Sequence, residues 1–530
     1  MEKESRMAAE TALTQRALAL FDEFRAAYTG EWRRLDNCER MYRGDHWHNV
    51  PLTDKNEPRP VTPVIQSTIE NIASELMDRI PEAVIGGESP EDTQVAGVLQ
   101  AIIRQNHDAA NYPAEYRRIV HDLLVGGYAV QEVGYDREEN GGLGGAYIRH
   151  TDARSILFDP LCTDIQQGRA AFRISLQTRE SLAMRYPDKA LTLESGIYEA
   201  DAAIDDVIRG DRKHTVLVIE YWYREFDRET EQYSVHMALL AGKTLLSHSK
   251  DVKPEGYYDH GKYPFIVTTL FERKGSCLGY GMVDMFETQQ RYADKLDQIV
   301  LKNALMASHN KLLVTEASGF DVDDLKDWSR EVHKGESLNG VTWFSTPPLP
   351  AYLISYIGSI RESIKQESGA NDFSRGMASG GITAASAIAA LQEMSNKRAR
   401  TISRQLHESF RDAVRMEIMV EREFNYFTRE VTVLIDGVPK RCTFESVMLV
   451  RLAPGNVALP IEFYITVKAQ QETKYTAMNQ NELVLAMLKS GVIRPEQAVD
   501  LMVFDGKEQL KKEMHEQSEQ EEQQDGTKTR

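Results

Sequence analysis

Apolar residues first recur along the chain at helical spacing. Ala17, Phe21, Phe24, Tyr28, Trp32 and Leu35 follow at steps of three and four, which predicts one long amphipathic helix. Ile65, Ile69, Ile72 and Leu76 predict a second, ended by Pro81, and Val95, Leu99, Ile102 and Ile103 a third. After Gly126 and Gly127 the pattern moves towards alternation. "YAVQEVGYD" reads as a strand running to the turn "ENGGLGG", and a β-rich stretch follows to about residue 270. Within it, "TVLVIEYWYREF" and "YSVHMALLAGKTLL" read as adjacent strands joined by a polar hairpin loop.

From Gly281 to Gly319 no Gly or Pro interrupts the chain. One long helix is expected there, with Phe286, Ala293, Leu296, Val300 and Ala304 on one side. A small insert follows: strand "KLLV", acidic turn "DVDDLKDW", strand "GVTWF". Trp328, Trp343 and Phe344 are expected to hold this insert together. Pro347, Pro348 and Pro350 close it and start another helix, "AYLISYIGSIRESIKQESG". Between Gly381 and Gly437 there is again no Gly or Pro, which predicts a very long helix over roughly 384–427. Its stripe is Ile402, Leu406, Phe410, Val414 and Ile418. A helix of that length is expected to organise an assembly rather than be buried in one globule. Strands are expected over 430–468 and helix over 474–515. The polar end "HEQSEQEEQQDGTKTR" reads as disordered.

Length and charge narrow the classes. A chain of 530 residues suggests two to four domains. A net charge of −18 argues against tight, static binding of phosphates. It leaves room for a protein past which nucleic acid moves. Cys38, Cys162, Cys277 and Cys442 are scattered without a C-x-x-C pair, so neither a zinc site nor a disulfide framework is expected. Free thiols suit a reducing cytoplasm. The start, "MEKESRMAAE", has no apolar signal region, and no apolar run approaches the roughly 18–20 residues of a membrane span. No membrane partner is expected.

Candidate chemistry is sparse. Gly376-x-x-x-x-Gly381 followed by Ile382 and Thr383 has the spacing of a phosphate-binding P-loop, with isoleucine in place of the lysine. The preceding segment is polar and helical in pattern, whereas a P-loop follows a buried strand. A flexible connection between helices fits better, with Gly376, Gly380 and Gly381 supplying conformational freedom and Ser379 and Thr383 able to cap the next helix. In "GDHWH", His46 and His48 lack an evident third metal ligand, so a surface or packing role is expected. "DVDDLKD" resembles the start of an EF-hand loop, but Lys326 stands where the glycine belongs, and a solvated acidic turn is the better reading. No hydrolase, zinc-protease or kinase motif is present. Neither a catalytic residue, a metal ligand nor a cofactor is expected.

On the long helix, Lys397, Arg400 and Arg404 share a face. They are expected at a subunit interface, because Glu287, Asp294 and other acids need partners. The plain alternative is a solvated face with i,i+4 pairs such as Arg404 with Glu408.

The order helix, small insert, helix, Gly/Ser loop, very long helix resembles the portal proteins of tailed bacteriophages. "YRGDHW" at 42–47 is similar to their early signature, with His46 where glutamine is commoner. "FDPLCTD" at 158–164 and "AMRYPD" at 183–188 resemble their Asp-Pro segment and its downstream Tyr-Pro. "GYGMVDMFETQQRYADKLDQIVLKNAL" resembles the start of their first stem helix, and "GITAASAIAALQEMS" their tunnel-loop junction.

The resemblance implies an α+β subunit built as follows: an N-terminal wing over 1–281, first stem helix 282–309, clip 310–348, second stem helix 349–370 and tunnel loop 371–385. A long wing helix over 386–428, returning wing strands 429–470, a helical crown 471–515 and a tail 516–530 complete it. It implies a non-enzymatic ring, commonly a dodecamer, at one capsid vertex of the virion, made in the host cytoplasm. Implied partners are copies of itself, the large terminase, head-completion, adaptor or tail proteins, major capsid and scaffolding proteins, and double-stranded DNA passing non-specifically through the channel. Arg361, Lys365, Ser374, Arg375, Gly376 and Ser379 would face DNA. Asp323, Asp324, Lys326 and Asp327 would receive terminase and connector. Two other readings are a nucleotide-dependent DNA-packaging or remodelling enzyme with a degenerate P-loop, and a different phage head or tail structural protein.

Overall fold

The computed structural model describes residues 2–52, 57–78, 80–192, 215–228, 231–308, 311–326, 331–344, 347–369, 397–435, 438–453, 457–469 and 474–502. The chain divides into two units, residues 1–77 with 83–467, and residues 78–82 with 468–530.

The larger unit opens with α1 (Glu2–Tyr42) and α2 (Val64–Met77), each burying the whole stripe read from the sequence. A strand, β1 (Pro81–Gly87), leads to α3 (Pro90–Ala109). Its start is fixed by a capping box, Ser89 with Asp92, and by Pro90 in the first turn. Then comes α4 (Tyr112–Val125), which the sequence reading missed. Tyr112, Tyr116, Ile119, Val120 and Leu123 are buried on it, but the helix falls between Pro113 and the glycine pair and has no long uninterrupted pattern.

Strands β2 (Tyr128–Asp136) and β3 (Gly145–Thr151) form a hairpin. Its turn places Asn140 and Gly141 at positive φ. Strands β4 (Ile156–Phe158) and β5 (Ala170–Thr178), helix α5 (Arg179–Arg185), and strands β6 (Thr215–Asp227), β7 (Gln232–Ala241) and β8 (Thr244–His248) follow. The five strands β4 to β8 make one antiparallel meander in sequence order. The second predicted strand is divided by a turn at Gly242, with φ +59°.

Phe172 on β5 joins this sheet to α1. Phe21 and Phe24 meet it edge-on at 5.4 and 5.3 Å, and Tyr221 stacks on it at 5.1 Å. Such ring pairs add about 0.5–1.5 kcal/mol each to the burial itself. Strand β9 (Phe265–Thr269) pairs with β2, so β2 is the centre of a three-stranded sheet. Two-residue strands β10 (Phe271–Glu272) and β11 (Gly279–Tyr280) lead into the next helix.

That helix, α6 (Met282–Ser308), is followed by β12 (Lys311–Val314), a one-turn helix α7 (Val322–Lys326), β13 (Val341–Phe344) and α8 (Tyr352–Ser368). The helix α9 (Lys397–Phe424) comes next. Residues 371–396, including the proposed loop and the first part of the long helix, lie outside the described residues. Strands β14 (Arg429–Ile435), β15 (Val438–Phe444), β16 (Val450–Ala453), β17 (Val457–Pro460) and β18 (Phe463–Ala469) run on from there. The smaller unit contains α10 (Lys474–Lys489) packed on α11 (Pro495–Leu501).

One expectation is corrected here. The α9 stripe is buried within its own chain: Ile402, Leu406, Phe410, Val414 and Ile418 are all covered, and the helix lies across β2, β3 and β9. Buried polar bonds fix it as well. Asn106 Nδ2 and the Ala146 amide both donate to Glu421 Oε1, at 2.7 and 2.8 Å, and His107 Nε2 lies 2.9 Å from Glu417 Oε2. Length alone pointed to assembly, but a three-stranded sheet offers enough apolar surface to cover the helix in cis.

Candidate channel-forming elements and their root

The α6–β12–β13–α8 segment leaves the body of the unit through a close backbone crossing. Gly127 has φ +88°, and a Cβ there would lie 2.0 Å from the carbonyl carbon of Tyr280. A Cβ on Gly281 would lie 2.4 Å from Val125 O. Only glycines let the α4–β2 junction and the start of α6 approach this closely.

Charged groups lock the crossing. Arg34 on α1 is paired with Glu31 at 2.6 Å and with Asp284 on α6, and it donates to Gly126 O at 2.8 Å. Burial alone would lower the Arg34 pKa, but the two carboxylates outweigh it and hold the guanidinium above its ordinary value.

One and a half turns further along α6, polar side chains are fully buried. Gln290 Oε1 accepts from the Val64 and Ile65 amides at 3.2 and 3.3 Å, satisfying free donors at the start of α2. Its Nε2 donates to Thr62 O at 2.8 Å and to Asp294 Oδ1 at 3.0 Å. Asp294 Oδ2 lies 2.5 Å from His46 Nδ1, and His46 Nε2 lies 2.9 Å from Met41 O. Arg291 donates to His46 O at 2.8 Å, to Asn37 Oδ1 at 3.0 Å and to Glu287 Oε1 at 2.7 Å.

Of the two roles expected for it, surface or packing, His46 takes packing. Glu287 and Asp294 find their partners inside the chain, so neither supplies a reason for Lys397, Arg400 and Arg404 to sit at an interface. The sequence reading passed over Gln290. Its signal was a polar residue four positions after Phe286 and three before Ala293, on the buried stripe of a helix.

Beyond this root the burial ends. On α6, Ile299, Leu301, Leu305 and Met306 are exposed, and on α8 so are Tyr352, Ile354 and Tyr356, the first two at 69%. Arg361 is half-buried; it pairs with Asp297 and donates to Thr62 Oγ1 at 3.0 Å. Its partner within the chain is thus an acid on α6. Lys365 is half-buried one turn on. Ser374, Arg375, Gly376 and Ser379 lie outside the described residues.

The insert between the helices is a β-hairpin in which Lys311 faces Phe344 and Val314 faces Val341. Trp343 is 65% exposed, so it does not hold the hairpin together as expected. It pairs across the hairpin with Leu312 and shares a face with Val314 and Val341, and two short strands do not cover it. Trp328 lies outside the described residues, as does Asp327. Asp323 and Lys326 form an exposed pair at 2.9 Å, and Asp324 lies 3.7 Å from His333. The pair with Lys326 holds the Asp323 carboxyl below its ordinary pKa. On α9, Arg404 and Glu408 are exposed and Arg400 half-buried. Lys397 starts the helix.

Two exposed helices rooted in one body and joined by a hairpin are a structural arrangement; among the described residues no cluster of three or more His, Cys, Asp or Glu could hold a metal ion. No described helix is long and apolar enough to cross a membrane. Residues 18–529 match the phage P22-like portal protein family, and the chain belongs to it. A portal protein of the Helicobacter pylori bacteriophage KHP30 is 23% identical over 220 residues, which is 40% of this chain and 33% of that protein. The match thus spans a third of the relative's length.

Proposed function

We propose that the chain is a non-enzymatic portal subunit whose copies form a ring-shaped channel at one capsid vertex of the virion. DNA is packaged, retained and ejected through that channel. The observation that carries the reading is the pair α6 and α8. Their roots are buried and hydrogen-bonded, while their far ends expose apolar and aromatic side chains that a lone chain leaves in water. Neighbouring copies around a ring would cover them.

In this reading α6 and α8 are the stem, and the hairpin with α7 is the clip that receives the large terminase and later the head-completion or tail proteins. The exposed Asp323, Lys326 and Trp343 supply its charged and aromatic contacts, with Asp324 and Asp327 beside them. Lys365 and Arg375 are the favoured phosphate contacts, and the loop over 371–385 carries Ser374, Gly376 and Ser379 towards the axis. Arg361 braces α8 against α6 before it meets DNA. Lys397, Arg400 and Arg404 lie on the first turns of α9, where a neighbouring subunit would pass. A net charge of −18 per copy gives a ring that repels DNA more than it holds it, so a few basic positions centre the duplex without arresting it.

Complementation of a phage lacking its portal tests the reading. The parent chain restores packaged heads, and an Arg375→Ala, Lys365→Ala variant forms rings but packages or retains less DNA. Full packaging by that variant removes these residues from the channel wall. Rings that never support packaging remove the function itself.

A further inference from the structure

We propose that Cys162 and Cys277 form a reversible disulfide that fastens the five-stranded sheet to the segment leading into α6. Cys162 lies in the connection between β4 and β5, and Cys277 in the turn between β10 and β11. Sequence spacing gave no hint of a pair, because 115 positions separate them. In the fold their Sγ atoms are 3.7 Å apart, and the Cys277 amide donates to Cys162 O at 3.1 Å.

The sulfurs already lie 3.7 Å apart, so a small side-chain rotation brings them towards the roughly 2.05 Å of a disulfide. Both residues lie just under the surface, Cys162 with 8% and Cys277 with 9% of its area exposed, which leaves an edge for a small disulfide to reach. The other cysteines are placed differently. Cys38 is buried with its Sγ 3.6 Å from Asp284 Oδ1, and Cys442 is half-exposed on β15.

The oxidant is a low-molecular-weight disulfide. The Cys162 thiolate attacks one of its sulfurs, forms a mixed disulfide and releases one small thiolate. Cys277, as thiolate, attacks Cys162 Sγ and releases the second. Two protein thiols are oxidised, one small disulfide is reduced to two thiols, and the two protons go to the departing thiolates. The contact with the Cys277 sulfur holds the Cys162 pKa below its ordinary value, which favours Cys162 as first nucleophile. The link joins β4–β5 to the residues just before Gly279 and Gly281, where the helix α6 is set against Gly127. Oxidation therefore stiffens the root of α6 without touching its exposed end.

The test uses the full-length chain with Cys442→Ser, treated with oxidised glutathione and then with dithiothreitol. Of its three thiols, counted after denaturation, one should remain after oxidation and three after reduction. Non-reducing proteolysis should yield a single peptide pair containing residues 162 and 277. Cys162→Ser and Cys277→Ser should abolish that pair, and peptide mapping of the parent chain should find it as well. Three persistent thiols overturn the proposal. So does a glutathione adduct on Cys162 with no linked peptide.

Discussion

His46 and Asp294 meet at 2.5 Å in a site closed to solvent, and this contact ties the segment after α1 to the middle of α6. One residue lies in the early "GDHWH" stretch and the other 248 positions away. With Gln290 and Arg291 the pair orients a helix whose far end has few partners of its own. Removing one member strands the other in the core. We expect Asp294→Ala to destabilise the chain by about 3–5 kcal/mol, the usual cost of leaving one buried partner alone. Urea unfolding of parent and variant reads this directly, and a loss under about 1 kcal/mol would show that the pair does not anchor α6.

The glycine crossing makes a sharper demand. Gly127→Ala adds a methyl group at φ +88° against the Tyr280 backbone, which has no side chain to swing away. The variant should be poorly soluble or melt well below the parent, while Gly30→Ala, with open space around its Cβ, should melt near or above it. Equal melting of the two variants would contradict the close approach.

The helices and strands were largely legible because their apolar periods are long. The α1 and α9 stripes are buried residue for residue as the spacing predicted. What the sequence concealed were long-range choices. Nothing local to Ile402 or Phe410 distinguishes a sheet of the same chain from a neighbouring copy as the cover. Trp343 reads as core by its chemistry, yet it stands exposed on a two-stranded hairpin that offers too little surface to cover it. The root was hidden for the same reason: Gln290 falls on a buried stripe, but its partners, and those of Asp294 and His46, come together only when 30 to 294 fold together.

His236 gives the stability a predictable dependence on pH. It is buried, bonded to Ser234 and Ser249, and faces Glu225, Lys250 and His248. Burial, with Lys250 adding to it, pushes its pKa down from 6.5 to about 4. The unfolded chain then binds a proton at pH values where the folded ring does not. Stability should fall as pH drops below about 6.5, and the fall should level off near pH 4. His236→Gln should flatten this limb of a melting-temperature profile; an unchanged slope would assign the acid sensitivity elsewhere.

The exposed stem residues should act between chains rather than within one. Ile354→Asp with Tyr356→Asp places charge where the single chain has no core, so the monomer should unfold within about 0.5 kcal/mol of the parent. Assembly should fail, because a desolvated interface does not accept unpaired carboxylates. Sedimentation of the variant as a folded monomer supports this. Normal large assemblies would place the interface on another face.

The central claim is that this chain builds a ring around a DNA-wide hole, and imaging of the purified full-length protein by cryo-electron microscopy tests it most directly. The account predicts a closed ring of about a dozen copies, as the family resemblance implies. In it α8 should line the hole, Lys365 point inwards, and the Ile354 and Tyr356 side chains be covered by a neighbour. Particles that remain monomers under assembly conditions, or a ring with α8 on its outer rim, would contradict it.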